Sequence, residues 1–448
     1  MRTLRAILIF TLATAATVSF GQNLSLDSCL ALALKNNAKV KNAELDVEAA
    51  KEVKRQAFTK YFPQVSAIGV GYHAVSPLLE YGINDIDNAG LRNLLNVLYT
   101  EYGQALGFPR SISLLEKGAA IGQLAVQPVF MGGQIVNGNR LANVGVQAAE
   151  LQNRLAVQEA LLQTEESYWL VISLQEKEKT ILQAQELLDT LYKDVTTAQN
   201  AGLLLKNDVL KVTLKRNELL SNKLKVENGI VLATSALCQS IGIQYDTTIK
   251  LTDTLGEIAP PESIYTETDT AVAKRNETQL LELNLKAEKL KKKMSVGATL
   301  PQLIIGYGGT YGNLITDKSS YKGLAFATMR IPITAWWETS HKLKEHNIRI
   351  EQAQNSYNDL TEKMSLQTRQ AWNELTEAYL QLDIADETVA AAAENLKIAT
   401  DNFHAGLVPL SELLEAETIH RQAVDQCCDA KIAYKIKLAR YRILVSAE

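Results

Sequence analysis

Histidine and cysteine are among the residue types that bind metal ions or act as nucleophiles, but their spacing in this sequence suits neither task. The five histidines are scattered, and His341 and His346 stand five residues apart, so a helix would place them on different faces. The four cysteines are Cys29, Cys238, Cys427 and Cys428. They lack metal-ligand spacing and are too few for a disulfide scaffold, so the sequence predicts no metal site.

Other familiar catalytic patterns are absent from the sequence as well. Gly69-Val70-Gly71 lies in a strand pattern with no helix behind it, so it is no nucleotide-binding fingerprint. The 46 Lys+Arg and 50 Asp+Glu nearly balance, and a pI of about 5.9 lacks the basic footprint of nucleic-acid binding. We therefore expect no catalytic residue, no cofactor, no enzyme activity and no nucleic-acid partner.

Long helices must position most of the chain, because proline is rare and unevenly placed. None of the nine prolines lies between Val129 and Glu257 or between Ile333 and Val408. An interior proline costs a helix roughly 3 kcal/mol, so such stretches favour very long helices. In the first stretch, apolar residues recur every seven positions, at Leu174, Ile181, Leu188 and Val195. A seven-residue repeat predicts supercoiled packing against neighbouring helices.

The N-terminus has the features of a secretory signal peptide, which we place at residues 1–21. Arg2 and Arg5 precede an apolar run, and small residues follow it at the expected cleavage site. Beyond this segment no run of 18 apolar residues occurs, and the mean hydropathy is -0.07. These features exclude a polytopic helical membrane protein, but they leave a β-barrel open because alternating strands barely raise mean hydropathy.

Two distant landmarks reveal an internal duplication. Pro128 precedes Pro332, and Gly202 precedes Gly406, by the same 204 residues, and the flanking residues match in both pairs. The first repeat is predicted at residues 22–240, with a helix at 26–60, strands at 64–74 and 119–130, a long helix at 134–201 and a return helix at 206–240. An equatorial linker follows at 241–265. The second repeat is predicted at 266–448, with a helix at 267–298, strands at 302–311 and 323–333, a long helix at 336–404 and a return helix at 409–445.

The predicted strands alternate between a large apolar row and a small or polar row. The large rows are Ser66, Ile68, Val70 and Tyr72 in one strand and Leu303, Ile305, Tyr307 and Tyr311 in another. Such alternation fits strands that stand between lipid and a wet lumen. Four strands cannot close a membrane barrel, since the smallest use about eight, so an oligomer is required.

With these features in order, the chain resembles the TolC-like outer-membrane efflux protein family. The resemblance rests on Phe62-Pro63-Gln64, Leu300-Pro301-Gln302, the segment from Gln127 to Gly133 and the paired Ala-Gly-Leu motifs. It implies an internally duplicated α+β membrane protein whose trimer forms a twelve-stranded β-barrel and a periplasmic α-barrel of long coiled-coil helices.

The resemblance also implies a function, a location and partners. The trimer would lie in the outer membrane of a Gram-negative bacterium, in contact with its lipid, and extend into the periplasm. It would be the passive exit duct of a tripartite efflux or type I secretion system, with a periplasmic adaptor and an inner-membrane pump as partners. The alternative is a periplasmic coiled-coil scaffold or adaptor without a pore, which would not require detergent.

The resemblance assigns roles to the helix turns. Gly202, Leu203, Gly406 and Leu407 would form tips that contact the adaptor. Asp208, Phe403, Glu412 and Glu415 would lie at the tunnel entrance or gate. Asp208 matches an acid of the family's closed tip, but Phe403 and Val408 replace its two partners, so a helix-start role is an equal alternative. Glu412 and Glu415 form either an acidic ring in the lumen or a first turn stabilised by the helix dipole.

Two further features remain open at the level of sequence. Cys29 and Cys238 are expected at similar height, as either a disulfide or two small buried side chains. The segment from Val75 to Lys117 is much longer than its counterpart in the second repeat. It is either a surface loop with a short helix or a partial plug over the exit.

Overall fold

The computed structural model describes residues 23–76, 79–103, 109–114, 117–256, 258–313 and 319–446; the predicted signal peptide lies outside them. The helices are α1 (Leu26–Asn36), α2 (Ala38–Thr59), α3 (Ala89–Leu98), α4 (Gln134–Asn200), α5 (Lys206–Ser240), α6 (Thr268–Lys274), α7 (Asn276–Gly297), α8 (Ala335–His404) and α9 (Leu410–Val445). The strands are β1 (Asn23–Leu24), β2 (Gln64–His73), β3 (Leu79–Gly82), β4 (Ser111–Leu114), β5 (Lys117–Met131), β6 (Lys250–Leu251), β7 (Gln302–Gly312) and β8 (Ser320–Arg330).

The single helix predicted at 26–60 is two helices, broken at Asn37. The Asn37 side-chain oxygen accepts a hydrogen bond from the Lys39 N–H (2.8 Å), which starts α2. Its side-chain amide donates to the Ser240 carbonyl (2.8 Å) at the end of α5. At the break, Asn37 thus caps the start of α2 and also binds the end of α5.

The helix predicted at 267–298 is broken in the same way, at Arg275 between α6 and α7. The Thr278 hydroxyl donates to the Val272 carbonyl (2.7 Å) across the break, and Arg275 forms an ion pair with Glu277 (2.7 Å). The breaks fall at two similar short sequences, Lys35-Asn36-Asn37 and Lys274-Arg275-Asn276, so the duplication extends to a local kink that the helix pattern did not predict.

Three other predicted boundaries need correction. β5 runs from Lys117 to Met131 instead of 119–130, and β8 runs from Ser320 to Arg330 instead of 323–333. β8 stops short because Pro332 has no N–H to donate to a ladder. The linker predicted at 241–265 also carries regular structure: β6, and a 3-10 turn at Pro261–Ile264.

One of two compact units comprises the described residues within Met1–Glu48, Gln147–Glu282 and Asn355–Glu448. A principal apolar cluster of this unit surrounds Tyr168, which is fully buried with Trp169 and Leu237. The Tyr168 hydroxyl donates to the Leu24 carbonyl (3.2 Å) and accepts from the Asp253 N–H (3.3 Å). β1 and β6 pair in parallel beside this cluster, so the first described residues are built into the core.

Cys29 and Cys238 are both buried as free thiols, so the structure contains two small buried side chains and no disulfide between them. Burial raises the pKa of the Cys29 thiol to about 12, with the nearby Cys238 adding to the effect. A thiol held protonated in this way is a poor nucleophile.

The second unit comprises Ala49–Val146 and Leu283–Gln354 and contains a four-stranded antiparallel sheet in the order β2-β5-β7-β8. The register aligns Ile68, Gly122, Thr310 and Lys322 in one row across the four strands. Directly opposed residues share a face, so the large row of β2 lies on the face opposite the large row of β7. The alternation along each strand therefore does not tell which side of the sheet faces lipid.

The long segment after β2 contains the short helix α3 and the hairpin of β3 with β4. The polar side of α3 faces its own loop, where Arg92 donates to the Ile86 carbonyl (3.3 Å). Leu91, Leu94 and Leu98 are exposed on the other side. This part of the structure is a loop with a short helix, and the plug remains a prediction.

Candidate functional site

The turn between α4 and α5 ends the first long helix with a Schellman motif. Gly202 has a φ of 76°, a conformation that favours glycine. The Leu203 N–H donates to the Ala198 carbonyl (2.9 Å) and the Gly202 N–H to the Gln199 carbonyl (2.9 Å). These bonds satisfy carbonyls that the helix end would otherwise leave without partners.

The turn between α8 and α9 repeats this geometry in the second half of the chain. Gly406 has a φ of 72°, and the Leu407 and Gly406 N–H groups donate to Asn402 (2.8 Å) and Phe403 (3.0 Å). The leucine after each glycine is turned to solvent, with Leu203 78% and Leu407 73% exposed. The fold thus presents two matched apolar tips, at the four residues that the sequence singles out.

Asp208 has partners close to it in sequence. Its carboxylate accepts from the Leu205 N–H (3.4 Å) and pairs with Lys211 (3.2 Å), so it caps the start of α5 and neutralises a lysine one turn later. Phe403 is partly buried against an apolar cluster that includes Leu410. The helix-start role of Asp208 is visible, while a gate role for either residue stays a prediction.

Glu412 and Glu415 are both exposed in the first turns of α9. Glu415 also borders a groove of about 480 Å³ between α5 and α9, across from Lys211 and Lys215. The rest of the lining is Leu214, Glu218, Ser411, Leu414 and Thr418. A lumen-facing role for the two glutamates stays a prediction.

A row of one buried and two partly buried charges on α9 was not predicted from the sequence. Glu417, Arg421 and Asp425 follow at four-residue spacing, and Arg421 lies 3.7 Å from Glu417 and 3.8 Å from Asp425. These distances exceed a hydrogen bond, and Glu417 Oε1, Arg421 Nε and Asp425 Oδ1 have no hydrogen-bond partner. Burial raises the pKa of both carboxyls, which Arg421 opposes. The four-residue spacing was the available signal, but burial cannot be read from spacing.

The described residues contain no group of three or more His, Cys, Asp or Glu side chains arranged to hold a metal ion. In the same part of the chain, none of the helices has a stretch long and apolar enough to traverse a bilayer.

Residues 271–444 match the family model described as outer membrane efflux protein. No curated protein matches the chain. Three solved structures have similar folds over nearly the whole chain:

CusC is 15% identical with a TM-score of 0.78, covering 96% of this chain and 95% of that one. The CmeC outer membrane channel of Campylobacter jejuni is 16% identical with a TM-score of 0.74, covering 94% and 85%. The outer membrane protein VceC of Vibrio cholerae is 14% identical with a TM-score of 0.72, covering 94% and 96%. The likeness confirms the α+β fold class of long helices with a small sheet.

Proposed function

Residues 271–444 match the outer membrane efflux protein family model, and we propose that the chain belongs to this family and forms a trimeric outer membrane channel. The channel is the passive exit duct of a tripartite efflux or type I secretion system. It lies in the outer membrane of a Gram-negative bacterium and extends into the periplasm.

The observation that carries this proposal is a sheet with two unpaired edges. In the order β2-β5-β7-β8, all neighbours are antiparallel, so β2 and β8 run in opposite directions at the two edges. β8 of one protomer can therefore pair antiparallel with β2 of the next. Lipid tolerates no unpaired backbone, and closure by three copies removes every edge.

The matched tips support the proposed partners. Leu203 and Leu407 present apolar side chains at sharp helix turns, where a periplasmic adaptor would find backbone and side chains accessible. The adaptor would connect the channel to an inner-membrane pump, which supplies the energy for transport. With Gly202 and Gly406, these leucines form the rim that we assign to adaptor contact.

The test is to purify the protein from membranes in detergent, measure its oligomeric mass by light scattering and record its conductance in planar bilayers. A homotrimer with a steady ionic conductance is expected. A monodisperse monomer in the soluble periplasmic fraction, stable without detergent, would favour the coiled-coil scaffold instead.

A further inference from the structure

An apolar stripe on α5 is exposed in the protomer. Leu210, Leu214, Leu224 and Val231 are between 46% and 69% exposed. They follow one another in alternating steps of three and four residues, and the row is completed by the exposed side chains of Asn207, Asn217, Ser221 and Asn228. Such steps form one continuous seam along a helix, which is the pattern of a helix that packs lengthwise against another helix.

A similar stripe lies on α8. Leu380, Ile384 and Ile398 are 50% to 64% exposed. The same alternating steps connect them through three further exposed residues, Glu387, Ala391 and Glu394. α5 and this part of α8 both belong to the first compact unit.

The exposed rows of the other two long helices are polar. On α4 the same steps pass through Gln183, Glu186, Thr190, Lys193, Thr197 and Asn200. On α9 they pass through Glu412, Glu415, Ile419, Gln422, Gln426 and Asp429, of which one is apolar. Polar rows of this kind suit helix faces in water, so the apolar stripes of α5 and α8 are the two faces that require a partner.

The two edges carry opposite charge. Residues 206–225 of α5 contain six Lys or Arg and two Asp or Glu. Residues 383–402 of α8 contain five Asp or Glu and one Lys. A surface of one sign on this chain therefore matches a surface of the other sign on the same chain, which favours contact between copies.

The two stripes also lie at the same level relative to the tips. Val212 of α5 and Ala399 of α8 belong to one buried cluster. Leu224 and Ile384 are each 22 residues from the tip glycine of their own turn. Rotation about an axis parallel to the helices preserves these levels, so it brings Leu224 of one copy beside Ile384 of the next.

We propose that the α5 stripe of each protomer packs against the α8 stripe of the next copy as an antiparallel coiled-coil seam. The helices are antiparallel because α5 runs away from its tip and α8 runs toward its tip. The inference rests on the proposed function, since a ring of three copies uses each stripe once in a head-to-tail contact that closes. It adds the residues of that contact, in which Leu224 meets Ile384 and Leu210 meets Ile398.

The experiment is disulfide cross-linking of the full-length protein in membranes. The double variant Leu224→Cys with Ile384→Cys, oxidised with copper phenanthroline, is expected to shift from monomer to covalent trimer on a non-reducing gel. Either single variant should remain monomeric on that gel, because the native cysteines are buried. Leu210→Cys with Ile398→Cys is a second pair at one level and should give the same product.

A matched control tests the level of the contact. Leu224→Cys with Ile398→Cys uses two residues of the same stripes, but Ile398 lies 14 residues beyond Ile384 along α8. That separation is about 21 Å, far beyond the Cα distance of about 7 Å that a disulfide can bridge. The control should therefore stay monomeric on the gel.

A charge exchange tests the match between the edges. Lys225 and Glu387 are exposed and lie about one helical turn apart in this register. Lys225→Glu should lower the temperature at which the trimer dissociates, and adding Glu387→Lys should restore it. Lys193→Glu makes the same change of charge on the polar row of α4 and should leave that temperature unchanged.

Three outcomes would count against us. If trimers form but neither pair at one level cross-links, or if the control cross-links as well as they do, the seam is wrong while the trimer stands. Cross-linking in cells to a different protein would assign the stripes to another partner. Absence of any trimer, cross-linked or not, would overturn the proposed function and this inference with it.

Discussion

At the residue scale, a glycine of the tips and a glycine of a long helix should respond in opposite ways to substitution by alanine. Gly406 has a positive φ with open space around its missing Cβ, and Gly145 in α4 has the same open space. Gly406→Ala should cost about 1 to 2 kcal/mol through backbone strain alone, whereas Gly145→Ala should stabilise by up to about 1 kcal/mol. Urea unfolding followed by circular dichroism measures both, and changes of equal sign would contradict the explanation.

Glu417 should make the folded protein less stable as the pH rises from mildly acidic to neutral. Burial raises the pKa of its carboxyl above the ordinary 4.5, so the folded protein holds a proton that the unfolded chain releases. This contribution to stability is present below about pH 4.5 and is lost as the pH rises through the folded pKa. Glu417→Gln should therefore lose less stability between pH 4.5 and neutrality than the unchanged protein.

Melting temperatures across this pH range test the prediction, with Glu412→Gln as the control because Glu412 is exposed on the same helix. Asp425 contributes with the same sign. If the melting temperatures of Glu417→Gln and of the wild-type protein change in parallel with pH, the Glu417 carboxyl does not titrate as described.

Glu412 and Glu415 test the acidic entrance. In a trimer, three copies of each would concentrate negative potential at one constriction. The double change Glu412→Gln with Glu415→Gln should lower cation selectivity, measured as a shift in reversal potential across a salt gradient, and weaken block by divalent cations. Unchanged values would leave both residues as acids that stabilise the first turns of α9.

At the element scale, two chain segments cross at glycines. Gly132, with a φ of 61°, follows β5, and Gly297 ends α7. A Cβ at Gly297 would lie 2.3 Å from the Gly132 oxygen, and a Cβ at Gly132 would lie 1.9 Å from the Gly297 oxygen. Either glycine-to-alanine change should displace the backbone and destabilise the fold by about 3 kcal/mol or more.

The yield of folded trimer and its thermal stability measure this effect. Gly69→Ala is the control, because its Cβ would meet nothing within 4 Å. A Gly297→Ala protein as stable as this control would mean that the two segments do not cross so closely.

The elements differ in how far the sequence determines them. The long helices follow from proline-free stretches, and the tips follow from Gly202 and Gly406, because both signals are local. The break at Asn37 could not be predicted from the local sequence, because the hydrogen bond that stabilises it joins the Asn37 side chain to the Ser240 carbonyl, 203 residues away. The composition of each face of the sheet could not be predicted either. Alternation defines two rows of side chains per strand, and only the cross-strand register decides which rows share a face.

At the scale of the whole molecule, the tips should matter for export and leave assembly unaffected. Leu203→Glu or Leu407→Glu places a charge on an exposed side chain that packs little within the protomer. We expect intact trimers with normal conductance but reduced export and weaker adaptor binding, measured by co-purification. Leu203→Met is the conservative control. Full export by the Glu variants would mean that the tips do not contact the adaptor.

The pairing of β1 with β6 sets an order of events during biogenesis. The Leu26 N–H bonds to the Asp253 side chain (2.9 Å) across a sequence separation of 227 residues. If the chain enters the periplasm from its N-terminus, Leu24 and its neighbours must therefore stay unpaired until more than half of the polypeptide has followed. Contacts of such long range form slowly, and the delay is an interval in which chaperones and proteases compete for the nascent protein.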